Sequence, residues 1–135
     1  MKLVEIELIL DASPAEIFRH LTTEEGLLRW VAVAATVDPV PGGQLEWTHE
    51  NGTTMIGRFL ELDPPRRLVF AYGWKDNLMG VPPESTVVEI DLAEVGEQTR
   101  MRLVHRGLPT DVVEDHRFGW DFFLGRLQTE LVTQT

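Results

Sequence analysis

The chain has 135 residues, 43% apolar and 25% charged, the size and make-up of one soluble globular domain, which excludes a disordered chain and a second ordinary core. Twelve Lys and Arg against twenty-two Asp and Glu give a net charge of −10, so the basic footprint of a nucleic-acid or anionic-membrane binder is missing. With no cysteine there is no disulfide framework, thiolate metal site or Cys nucleophile, and no apolar run approaches the roughly 18 residues of a spanning helix.

In chain order, Leu3 to Leu10 alternates Val4, Ile6, Leu8 and Leu10 against Glu5 and Glu7, the period-two pattern of a half-buried strand. Acids at this N-terminus stand where a signal peptide would be apolar, so an unprocessed, cytoplasmic protein is expected. Ser13, Pro14 and Glu16 form a capping box that predicts a helix from Pro14 to about Leu21. Thr23 starts a second helix, which Gly26 keeps short before Trp30.

The pattern then turns to strands: Val31 to Asp38, Gln44 to His49 after a Pro39–Gly43 turn, and Thr53 to Leu62 after an Asn51-Gly52 hairpin signal. Leu68, Phe70, Tyr72 and Trp74 alternate on one face of the next strand, and Asp76 to Pro83 reads as a loop. Two longer strands follow, marked by Val88, Ile90 and Leu92, then by Met101, Leu103 and His105, with a turn at Gly96. Past Gly107-Leu108-Pro109 the period becomes about 3.6, and Phe118, Trp120, Phe123, Leu124, Leu127 and Leu131 describe one apolar face of a long C-terminal helix. This order, one strand, two short helices, about six strands and a long helix, defines an α+β architecture whose sheet curls around the helix. Arg66, Arg67, Arg100, Arg102 and Arg106, near Glu61, Asp63, Glu89 and Asp91, read as cross-strand charge pairs on solvated faces.

No motif for covalent, dinucleotide or zinc chemistry is present. His20, His49, His105 and His116 lack metal-ligand spacing, and the acids Asp111, Glu114 and Asp115 beside His116 decorate a helix N-terminus. Ser13 and Ser85 are the only serines, one a cap and one at a strand start. No metal or cofactor is therefore expected. Alternation puts His105 on the inward face, where it is either a general base or ligand contact, or a buried or mouth-facing histidine hydrogen-bonded to backbone near the strand end. Four tryptophans are hard to bury completely in a small domain, and a curved sheet over one helix leaves a concave apolar space.

Several pieces in order carry a family likeness: Ser13-Pro14-Ala15-Glu16-Ile17-Phe18, Trp30, Pro41-Gly42-Gly43, Pro64-Pro65-Arg66-Arg67-Leu68-Val69-Phe70, His105-Arg106-Gly107-Leu108-Pro109 and Gly119-Trp120. Together they resemble the homologues of the activator of heat-shock-protein-90 ATPase, a branch of the START-like (SRPBCC, Bet v 1-like) superfamily. The resemblance implies a helix-grip fold: a curved antiparallel sheet of about seven strands around the C-terminal helix, over a hydrophobic cavity. Across that superfamily such cavities take lipids, sterols, polyketides and aromatic compounds. Gly107 and Pro109 are expected to redirect the chain, and Gly119 to let the helix approach the sheet closely.

Three functions remain open. The first is a noncatalytic binding protein for a small hydrophobic or aromatic molecule, lined by Trp47, Phe70, Tyr72, Trp74, Met101, Leu103, His105, Trp120, Phe123 and Leu127. The second is a cyclase, aromatase or hydrolase-like enzyme in the same cavity, with His105 as acid/base and Tyr72 as proton donor. The third, implied by the resemblance, is a module that meets a chaperone partner through its acidic surface.

Overall fold

The computed structural model describes residues 3–133. Strand β1 (Val4–Leu10) follows the predicted alternation, and Ser13 caps α1 (Pro14–Thr22), its hydroxyl accepting from the Glu16 amide at 3.2 Å. Thr23 caps α2 (Glu24–Leu28) in the same way, through the Gly26 amide at 3.0 Å. The following strand is shorter than predicted. The amides of Arg29, Trp30, Val31 and Ala32 turn back onto the Gly26 and Leu27 carbonyls that end α2, which takes them out of the sheet. β2 accordingly spans only Ala34–Val37.

β3 (Gln44–Thr48), β4 (Thr54–Asp63), β5 (Arg67–Tyr72), β6 (Thr86–Val95) and β7 (Gln98–Arg106) complete a seven-stranded antiparallel sheet in the order β1-β7-β6-β5-β4-β3-β2. Trp74 lies beyond the end of β5, joined to Met55 by a single bridge. Between β5 and β6 a 3-10 segment, Lys75–Gly80, holds Asp76, Asn77 and Met79 at φ of 55 to 60°. The expected charge pairs form on the outer face: Arg67 reaches Glu61, Glu89 and Asp91 at 2.8 to 3.0 Å, and Arg106 pairs with Glu89. Arg100 and Arg102 pair instead with Glu7 and Glu5 on the neighbouring β1.

Helix α3 (Val113–Thr133) lies along the edge strand β1. Arg117 donates to the carbonyls of Leu3 and Glu5 at 3.2 and 3.4 Å, and Gln128 donates to that of Ile9 at 3.1 Å, so side chains occupy acceptors that an open edge would expose. Its buried stripe is His116, Trp120, Leu124, Leu127 and Leu131. Phe118, predicted on the apolar face, is 75% exposed, because at about 100° per residue it points away from both His116 and Trp120. Gly107, at φ +93°, makes the turn out of β7. Gly119 plays a different part from the predicted one: a Cβ built there meets nothing within 4 Å. The helix stands off the sheet at this point.

Candidate functional site

The gap left at Gly119 belongs to a cavity of about 410 Å³ between α3, the sheet and two loops. Trp47 of β3, Tyr72 of β5 and Trp74 form the sheet side, while His116, Trp120 and Phe123 form the helix side. Val31–Val33, the Glu50–Thr53 turn, and Leu78 and Met79 of the 3-10 segment surround its mouth, with Asp115, Phe122 and Arg126 on the helix rim.

An indole N–H is a donor only, so each buried tryptophan needs an acceptor. In this protein histidines supply all four. Trp47, Trp74 and Trp120 donate to ring nitrogens of His49, His116 and His105 at 3.2, 3.0 and 3.0 Å, and Trp30 donates to the backbone carbonyl of His20 at 3.0 Å. The three ring pairs fix the tautomers, because a nitrogen that accepts from an indole carries no proton. His49 then donates from Nδ1 to the Val31 carbonyl, and His116 from Nδ1 to the Val112 carbonyl. His105 donates from Nε2 to the Thr86 hydroxyl at 2.9 Å, which passes a 2.7 Å bond to the Tyr72 carbonyl. Burial lowers the pKa of all three imidazoles, and His105, also facing His116, is pushed down to about 3. They are neutral near pH 7.

Tyr72 stands apart from this saturated set. It is 5% exposed and packs on His105 and Trp120, with ring centroids 4.4 and 6.0 Å away, yet its hydroxyl has no hydrogen-bond partner among the described residues. No side-chain polar atom there is both sealed from solvent space and unpaired, so this hydroxyl opens on the cavity. Burial raises its pKa, which keeps it a protonated donor.

Of the ten predicted lining residues, Trp47, Tyr72, Trp74, Trp120 and Phe123 stand together on the cavity wall. Phe70, Met101, Leu103, His105 and Leu127 do not: they lie 0 to 2% exposed in the closed core around it. Their alternation is inward, but of the elements that carry them only the end of β5 and the stretch of α3 from Asp115 to Arg126 line the gap. For His105 the buried reading holds, with side chains rather than backbone as partners. Both ring nitrogens are occupied, so the arrangement gives it no lone pair or proton to offer a ligand. Sequence reasoning missed His49, two residues from Trp47 and hence on its side of the chain, and His116, four before Trp120 on one helix face; both spacings were available as signals. Leu78 and Met79 sit in an aperiodic loop that gave none. Among the described residues no three His, Cys, Asp or Glu stand together as a metal site, and no helix is long and apolar enough to cross a membrane.

A seven-stranded antiparallel sheet curled about a C-terminal helix, with a cavity between them, defines a helix-grip protein of the START-like class. The chain belongs to the family described as Activator of Hsp90 ATPase homolog 1-like protein, which it matches over residues 11–131. It is 28% identical to the human Activator of 90 kDa heat shock protein ATPase homolog 1 over 121 residues, 87% of this chain but 33% of that protein, so it spans about a third of the human relative. In structure it is similar to the Aha1 dimer protein of Colwellia psychrerythraea, with TM-score 0.81, 26% identity and coverage of 97% of this chain and 96% of that one. A protein from Mesorhizobium loti shares the fold at TM-score 0.87 with 18% identity, each chain 99% covered.

Proposed function

We propose that this protein binds a small hydrophobic or aromatic molecule in the cavity. The observation that carries the reading is the unpartnered Tyr72 hydroxyl, opening into about 410 Å³ walled by Trp47, Trp74, Trp120 and Phe123. Largely apolar walls with a few polar groups are the composition of a ligand site, and the volume falls within the ~300–1,000 Å³ range of small-molecule pockets. The rings supply area and stacking surface, while the hydroxyl supplies orientation. Because His105 is enclosed, an enzyme in this cavity would need another acid/base. Native mass spectrometry for a copurifying ligand, then amide NMR titration with fatty acids, sterols, flavonoids and polyketide-like aromatics, tests the proposal. Saturable shifts around Trp74, Met79 and Gly119 support it; no copurifying mass and no shifts with any class overturn it.

A second reading, supported by the likeness to the human activator, is a chaperone-associated module. Salt-sensitive pull-down of an Hsp90, with stimulation of its ATPase, is the expected result if that reading is right. A cytoplasmic location belongs to both readings and is checked by cell fractionation.

A further inference from the structure

The chain has ten arginines, and every one except Arg126 has a carboxylate within 3.8 Å. Arg126 has no ion pair among the described residues, and it is the arginine on the rim of the cavity. It also lines an adjoining surface groove with Arg29, Phe122, Gly125, Thr129 and Glu130, where the Glu130 carboxylate is paired with Arg29 at 3.1 Å. His49 and His116 are neutral, so Arg126 is the one cation among the described residues that line the cavity, whose lining also holds the acids Glu50 and Asp115. Asp115 lies about three turns earlier on α3, some 16 Å along the axis at 1.5 Å per residue, so the helical rim is negative at one end and positive at the other.

A guanidinium offers five donors in a planar fork that matches a carboxylate. In a protein with so many acids, this one remains without a carboxylate partner at the mouth of an apolar cavity. The net charge of −10 disfavours small bare anions, so an anion held here needs an apolar body to contribute the affinity. Trp120, with its ring 6.0 Å from that of Tyr72, precedes Arg126 by about 9 Å along the helix, a distance that a fused-ring body can cover.

We propose that the cavity selects an aromatic carboxylic acid, with the ring system between Trp74 and Trp120 and the carboxylate on Arg126 at the mouth. This rests on the reading of the cavity as a ligand site. Three probes of nearly equal shape separate the two claims: 2-naphthoic acid, 2-naphthalenemethanol and 2-naphthylmethylammonium, each titrated at pH 7 and low salt into wild type and Arg126→Gln. In wild type the acid should bind about fivefold more tightly than the alcohol, the scale of one partly exposed ion pair. In Arg126→Gln that ratio should fall to one or below, while the alcohol keeps its affinity and the melting temperature is unchanged. Equal binding of acid and alcohol in wild type, tightest binding of the ammonium, or a ratio that survives in Arg126→Gln overturns the anion selection alone. If none of the three binds, the ligand-site reading fails for aromatic bodies and the selection falls with it.

Discussion

The indole N–H of Trp120 donates to Nδ1 of His105 at 3.0 Å, joining the long helix to the central sheet through two buried rings. With the Thr86 hydroxyl on its other nitrogen, His105 is held neutral in a site that has no place for a second ring proton. The bond is therefore a structural tie between α3 and β7.

This tie makes stability depend on pH. The His105 pKa falls from 6.5 in the unfolded chain to about 3 in the fold, so the unfolded state binds the extra proton between those values. Stability is complete above pH 6.5 and declines as pH drops toward 3. From His105 alone the loss at pH 5 is about 2 kcal/mol, with His49 and His116 adding in the same direction. Urea unfolding at pH 7 and pH 5 checks this, and equal stabilities would contradict it.

Trp74→Phe removes the donor to Nε2 of His116 and keeps most of the ring volume. Without the indole N–H, which favours the neutral imidazole, the His116 pKa should rise. The fold should lose about 1 kcal/mol, since the neighbouring cavity lets water reach the freed nitrogen. NMR titration of the imidazole signals measures the first effect and urea unfolding the second.

At Gly119 the space beside the helix is cavity rather than protein. Gly119→Ala should stabilise the fold by about 0.5–1 kcal/mol through helix propensity. Gly119→Leu should fill part of the cavity, leaving the protein folded and weakening any cavity ligand at least tenfold. Calorimetry of both variants, with a ligand titration of the second, separates the two effects.

Leu103 is 0% exposed and lies outside the cavity wall. Leu103→Ala should cost about 2–5 kcal/mol by leaving a void, while the folded fraction keeps its ligand affinity. A loss of affinity without loss of stability would return Leu103 to the lining.

Strand alternation and the capping residues Ser13 and Thr23 made the order of elements legible, because a half-buried strand and a helix N-terminus each have a local chemical signature. Alternation also supplied the strand count and the four tryptophans suggested a concave apolar space, and the family likeness implied the same seven strands and cavity. Which inward residues face the gap was not legible. Phe70 and Tyr72 share one face of β5, yet only Tyr72 reaches the opening, and that depends on where α3 departs from the sheet. Gly119 marks the place of departure but resembles a close-approach glycine in sequence. The Trp–His pairs were half visible: the spacings of His49 and His116 put them beside their tryptophan's side of the chain, but their indole partners include a residue on another element, Trp74.

The most direct test of the ligand site uses the four indole N–H signals in a ¹H–¹⁵N spectrum during titration with 2-naphthalenemethanol, which does not depend on Arg126. Trp47, Trp74 and Trp120 line the cavity, whereas Trp30 is 1% exposed in the core against His20 and serves as an internal control. Saturable shifts of those three signals with Trp30 unmoved are the expected result. Four unmoved signals, or a uniform drift that includes Trp30, would contradict binding in the cavity.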